Sequence, residues 1–184
     1  MVLDRWPPVY DADDLKLVIR ELASSSDISK KFYGSRSSGI PYQGDIIELN
    51  SALPLIWSDG QPAVHGNFQD WLVIGNTCDL HRNNKDVGFT QIVPIISIDA
   101  NTANKQYDQK DFLSYAYSRR FYLPPWGAKL ENSFSFADFL KPVTVHKSAI
   151  LDHASIKATM SQHTWLLLHS CLVRFLARDD GRFD

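Results

Sequence analysis

The chain has 184 residues, 44% of them apolar and 22% charged, with ten Phe, seven Tyr and five Trp. That length and aromatic content carry the core of one domain and exclude disorder, collagen-like repeats and coiled coils. A net charge of −2 excludes a generally basic surface while leaving room for a local basic patch.

The opening segment, with its Pro7-Pro8 pair, reads as extended. The acidic cluster Asp11 to Asp14 then suits the positive end of a helix. Leu15, Val18, Ile19 and Leu22 follow at i, i+3, i+4 and i+7, one apolar stripe. A turn-rich loop from Gly34 to Pro41 closes this part. The middle of the chain reads as β. Gly44–Leu49, Trp71–Asn76 and Phe89–Ile98 are short apolar runs rich in β-branched residues. Pro94 inside the third predicts an edge strand or a bulge. Between the first two lies a long excursion around Ser58-Asp59-Gly60-Gln61-Pro62. Further strands are predicted at Arg119–Trp126, Ser133–Phe139 and Pro142–Ile150, while Asn101–Ser118 stays open, with a short helix around Phe112–Tyr117 as one reading. Ser161 is placed to cap a last helix through Arg178, with Trp165, Leu168, Leu172 and Leu176 as its apolar face.

The predicted fold is α+β: a small, strongly curved β-barrel with an added N-terminal helix and a C-terminal amphipathic helix. A single domain spans 1–184, with the N-terminal helix and loop over 1–40, the barrel core over 44–150 and the C-terminal helix over 160–178. Two cysteines are too few for a disulfide framework, no apolar run spans a bilayer, and the first residues lack a secretory h-region. A cytoplasmic protein without a membrane partner is the expectation. The last helix is apolar on more than one side, so a homodimer through it is expected too.

The densest polar constellation is Asn76-Thr77-Cys78-Asp79-Leu80-His81-Arg82-Asn83-Asn84, directly after the strongest strand. A rigid strand that positions a polar loop is a good base for a site. Cys78 and His81 have the makings of a thiolate–imidazole pair beside Arg82. The simpler reading makes Cys78 a small buried residue and gives Asp79 and Asn83 turn hydrogen bonds. Candidate binding residues are Thr77, Cys78, Asp79 and Asn83, together with the basic pair Arg119-Arg120, which aromatics flank. No metal and no cofactor is assigned: there is no C-x-x-C, no H-E-x-x-H, no P-loop and no G-x-G-x-x-G. The two acids of Gly44-Asp45-Ile46-Ile47-Glu48 fall on opposite faces of a strand, so they do not form a catalytic pair with each other.

Gly44-Asp45-Ile46-Ile47-Glu48-Leu49, then Asp70 to Asn83, then Phe89 to Ser97 resemble the N-terminal half of PemK/MazF-type growth-inhibitor toxins. The resemblance covers residues 44–97. It implies an SH3-like barrel, metal-independent RNA cleavage and dimerisation. Ser97 matches the family's hydroxyl position, but Asp70-Trp71 stand where the family carries its catalytic Arg. A carboxylate there would repel the phosphate that a guanidinium stabilises. The expectation is therefore a non-catalytic, barrel-type binding module of a prokaryotic toxin–antitoxin-like or defence-related system, recognising protein or nucleic acid. The alternative is a divergent, metal-independent endoribonuclease that uses Arg82, His81 and Ser97 beside the 76–84 loop.

Overall fold

The computed structural model describes residues 28–35, 39–49, 55–58, 61–64, 68–83, 85–99, 117–127 and 133–176, together with Leu17, Arg20 and Tyr115. In chain order, α1 (Ile28–Phe32) runs into β1 (Tyr33–Gly34), and β2 (Ile46–Glu48) precedes a hairpin of β3 (Leu55–Ser58) and β4 (Gln61–Val64). Then come β5 (Asp70–Val73), α2 (Thr77–His81), β6 (Phe89–Asp99), β7 (Arg120–Leu123) and β8 (Ser133–Asp138). The last elements are β9 (Val143–His146), α3 (Lys147–His153), β10 (Ser155–Met160) and α4 (Gln162–Leu176). The fold is α+β. Its sheet is antiparallel, strongly curved into a half-barrel, and ordered β1-β10-β2-β5-β6-β8-β7, with β9 also on β6.

β6 is the hub. Its middle pairs with β5, and its other edge takes β9 near Phe89 and β8 near Asp99. Ile74 N and Gly75 N both donate to Gln91 O, so the odd-numbered residues here turn their main-chain groups toward β5. Pro94 therefore turns its nitrogen, which has no proton to give, toward the opposite edge. There the ladder is interrupted: Ala137 faces Ile95 and Val143 faces Ile92, so residues 138–142 pass only residues 93–94. Pro94 thus sits in a central strand, not at an edge, and the partner bulges where the missing donor would have been.

Alternation along β2, β5 and β6 sends side chains to two cores. Ile46, Leu72 and Val93 join a cluster with Phe32, Phe121, Phe136 and Met160, into which α4 sets Leu167, Leu168 and Cys171. Ile47, Trp71, Val73 and Ile92 face the other way, where Leu80 of α2 and Ile150 of α3 cover them. Strands buried on both faces read as continuous apolar runs.

Several expectations are corrected. The sheet extends beyond 44–150, because β1 and β10 belong to it. Pro142–Ile150 is not one strand: it turns from β9 into α3 at Lys147. The long excursion holds the β3–β4 hairpin, with Leu55 opposite Val64. On α4 the buried row is Thr164, Leu167, Leu168 and Cys171, while Leu176 is 78% exposed. Helices cover both sheet faces, not one outer surface. The stripe of the predicted N-terminal helix lies outside the described residues, although Leu17 and Arg20 are helical. Phe112 and its neighbours through 114 also lie outside them. No described helix is long and apolar enough to cross a membrane.

Candidate functional site

The site starts from a turn. Residues 42–45, Tyr-Gln-Gly-Asp, close on a bond from Asp45 N to Tyr42 O at 3.0 Å, and Gly44 takes φ +91°. That is the third position of a type II turn, which a side chain with Cβ rarely adopts. The fully buried Asp45 carboxylate accepts from Tyr42 N at 2.8 Å, so it closes the turn into β2.

The turn aims Gln43 at two distant elements. Its main-chain N donates to Thr77 Oγ1 at 2.9 Å and its side-chain Nε2 donates to Ile74 O at 2.7 Å. Since Nε2 is the donor, Oε1 is the acceptor, and it receives Trp165 Nε1 at 3.3 Å. Nε2 of His169 also meets Oε1 and must donate to it. Burial lowers the His169 pKa, so the ring is neutral near pH 7 with its proton on Nε2 and its lone pair on Nδ1. The Trp165 and His169 rings lie 4.2 Å apart by centroid.

Gly75 makes the next step. A Cβ on it would lie 2.0 Å from Thr90 Oγ1, so only glycine lets the chain pass that close to β6. Asn76 then caps α2, its side chain accepting from Cys78 N at 2.9 Å. The short helix lays the His81 ring on Tyr42, 5.6 Å between centroids and 7° from parallel. Arg82 follows, with its side chain 63% exposed and 3.6 Å from the Asp79 carboxylate. Asn83 Oδ1 accepts from Lys85 N at 3.1 Å in the next turn.

One corner therefore collects Tyr42, Gln43, Thr77, His81, Trp165 and His169, with Arg82 beside it. Thr77, His81 and Arg82 are among the residues the sequence singled out, and Asp79 and Asn83 adjoin them. Cys78 is exposed rather than buried, which corrects the simpler reading of it. His81 has its ring on Tyr42, and neither it nor His169 is hydrogen-bonded to a thiol or hydroxyl among the described residues.

Ser97 is elsewhere. It shares a 2.8 Å hydrogen bond with Ser135 near the far end of β6, six residues past Gln91, a contour of about 20 Å. Arg119 and Arg120 stand at the start of β7, beyond β6 and β8, and the Arg120 guanidinium lies 5.1 Å over the Phe136 ring. The structure thus separates Ser97 and the Arg119-Arg120 pair from the corner. Asp70 faces Glu48 directly across the β2–β5 ladder. Among the described residues no group of His, Cys, Asp and Glu is arranged to hold a metal ion. No known protein family matches the chain, and no curated protein does so significantly.

Proposed function

We propose that this chain is a non-catalytic binding module built on a barrel-type sheet, and that the corner at Tyr42, His81 and Arg82 holds single-stranded RNA. The observation that carries this is the parallel Tyr42–His81 stack beside an exposed guanidinium. Stacked rings offer a platform for a base, and a neighbouring cation meets the phosphate. The resemblance to PemK/MazF-type toxins supports the SH3-like form of the barrel, the toxin–antitoxin-like or defence setting and dimerisation. The apolar residues on more than one side of the last helix favour α4 as the dimer surface. The binding reading outranks an endoribonuclease because Ser97 is remote and Asp70 stands opposite a second carboxylate. A developing negative charge on phosphorus gains nothing there.

The test is fluorescence anisotropy of a labelled, mixed-sequence single-stranded RNA in EDTA, with the RNA afterwards run on a gel. Intact RNA and saturable binding are expected. Tyr42→Ala should weaken affinity about tenfold, a typical value for one lost stacking partner. Arg82→Ala should lower the salt slope by about 0.7, the share of one single-strand phosphate contact. Cleavage that disappears in Arg82→Ala and His81→Ala makes the chain an endoribonuclease instead. No binding at all sinks the RNA reading, and the sedimentation mass of the same samples decides the dimer.

A further inference from the structure

We infer that Lys147 is the positioning residue of this corner: its ammonium, sealed beneath α2, holds the main-chain carbonyls that set where His81 and Arg82 stand. The residue is only 1% exposed, yet its side chain ends among polar atoms. Nζ donates to Asp79 O at 3.0 Å and also to Arg82 O. These two carbonyls bracket the end of α2, where a helix leaves oxygens without an internal partner and presents the negative end of its dipole. No carboxylate among the described residues pairs with this ammonium, and Asp79, the acid closest in sequence to its acceptors, turns to Arg82 instead. A buried cation without a counter-ion persists only where its protons are taken up by fixed acceptors.

Lys147 is itself held firmly. Its main-chain N donates to Gly88 O at 3.0 Å, and it opens α3 directly after the His146 cap. One residue thus ties the end of α2, the approach to β6 and the start of α3. Replacing the ammonium by an apolar chain of similar length keeps the packing volume. It leaves two carbonyls without their donor, and the 79–83 segment then turns outward to find water. That displaces the stacked imidazole and the guanidinium together, although Lys147 touches no ligand.

This inference rests on the RNA-binding reading for its functional consequence, but its structural half is measured separately. Lys147→Met and Lys147→Ala are made in the full chain, and amide hydrogen exchange and RNA anisotropy are recorded on each. In Lys147→Met, the amides of 79–83 should exchange at least about tenfold faster while β5 and β6 keep their protection. RNA affinity should fall by a similar factor. In Lys147→Ala, n-propylammonium replaces the missing atoms and should restore both protection and affinity, whereas 1-propanol should not. Wild-type protection at 79–83 in Lys147→Met overturns the inference, as does equal rescue by propanol, which would mean that an ammonium is not required there. Loss of protection throughout the sheet overturns it too, since Lys147 would then be a general stability residue. If the unaltered chain binds no RNA, the functional reading fails while the exchange data still decide the role of Lys147.

Discussion

Asp70 and Glu48 meet across the β2–β5 ladder, and among the described residues Lys157 forms its ion pair with Glu48 and not with Asp70. Lys157 is the extra residue at the register shift between Ile156 and Ala158, and such a bulge re-aims one side chain out of the regular alternation. Asp70 gains less from this than Glu48 does. Burial first, and then the Glu48 charge, raise its pKa above the ordinary carboxylate value, and Lys157 offsets only part. The folded state therefore holds the Asp70 proton more tightly than the unfolded chain. The resulting stability is present at low pH and disappears as pH rises through the folded-state pKa. At neutral pH the ionised Asp70 is a net cost. Asp70→Asn should make the protein more stable at pH 7 by about 0.5 kcal/mol, a figure already discounted for solvent screening at a half-exposed site. Urea titrations at several pH values check this: the gain should shrink on acidification and be absent once Asp70 is protonated in both states. A variant less stable than wild type at pH 7 would mean that the ionised carboxylate has a favourable partner.

At the scale of elements, α4 shows what one local contact contributes. The Ser161 hydroxyl accepts from Thr164 N at 3.3 Å and is bonded to Thr164 Oγ1, while Ser161 O takes the Trp165 amide. The cap fixes the helix start and with it the rotation that carries Trp165 and His169 to Gln43. Ser161→Ala should cost about 1 kcal/mol in denaturant unfolding, and Ser161→Asp should recover most of it. The cap was legible in the sequence, as were the cores of β2, β5, β6 and β8, because short runs of β-branched or aromatic residues between turn residues are a local signal. α2 was not, since five residues of Thr-Cys-Asp-Leu-His are too few to show a helical period. β10 was legible too, since Ser155 to Met160 alternate strictly between polar and apolar residues, although no strand is predicted there. The buried face of α4 is not its bulkiest one. The row against the sheet uses Thr164 and Cys171, which allow close approach, and leaves Leu176 outside. Most of the corner lay beyond reach for a different reason. Gln43 meets Trp165 and His169 across 122 and 126 residues, and no spacing rule spans that distance.

The whole molecule raises the question of what holds a half-barrel in its curve. The ladder ends at β1 on one side and β7 on the other, and open edges are sites for unwanted pairing. Here the two ends meet through side chains. Tyr33 in β1 sends its hydroxyl to Pro124 O, one residue past β7, at 2.7 Å. Phe32 next to it lies 6.1 Å from the Phe121 ring of β7 and 5.0 Å from the Tyr33 ring. Burial raises the Tyr33 pKa well above its usual value, so the phenol stays protonated and keeps its donor. Tyr33→Phe removes that donor while keeping the ring, and it leaves the carbonyl of a buried Pro124 unpaired. The expected loss is about 1–2 kcal/mol in unfolding free energy. If the bond also maintains the curve, hydrogen exchange should quicken first in β7, while β5 and β6 in the centre follow only the global change. Uniform acceleration would show that Tyr33 stabilises the domain without acting at its seam. An unchanged stability would show that the aromatic contacts of Phe32 and Phe121 close the sheet on their own.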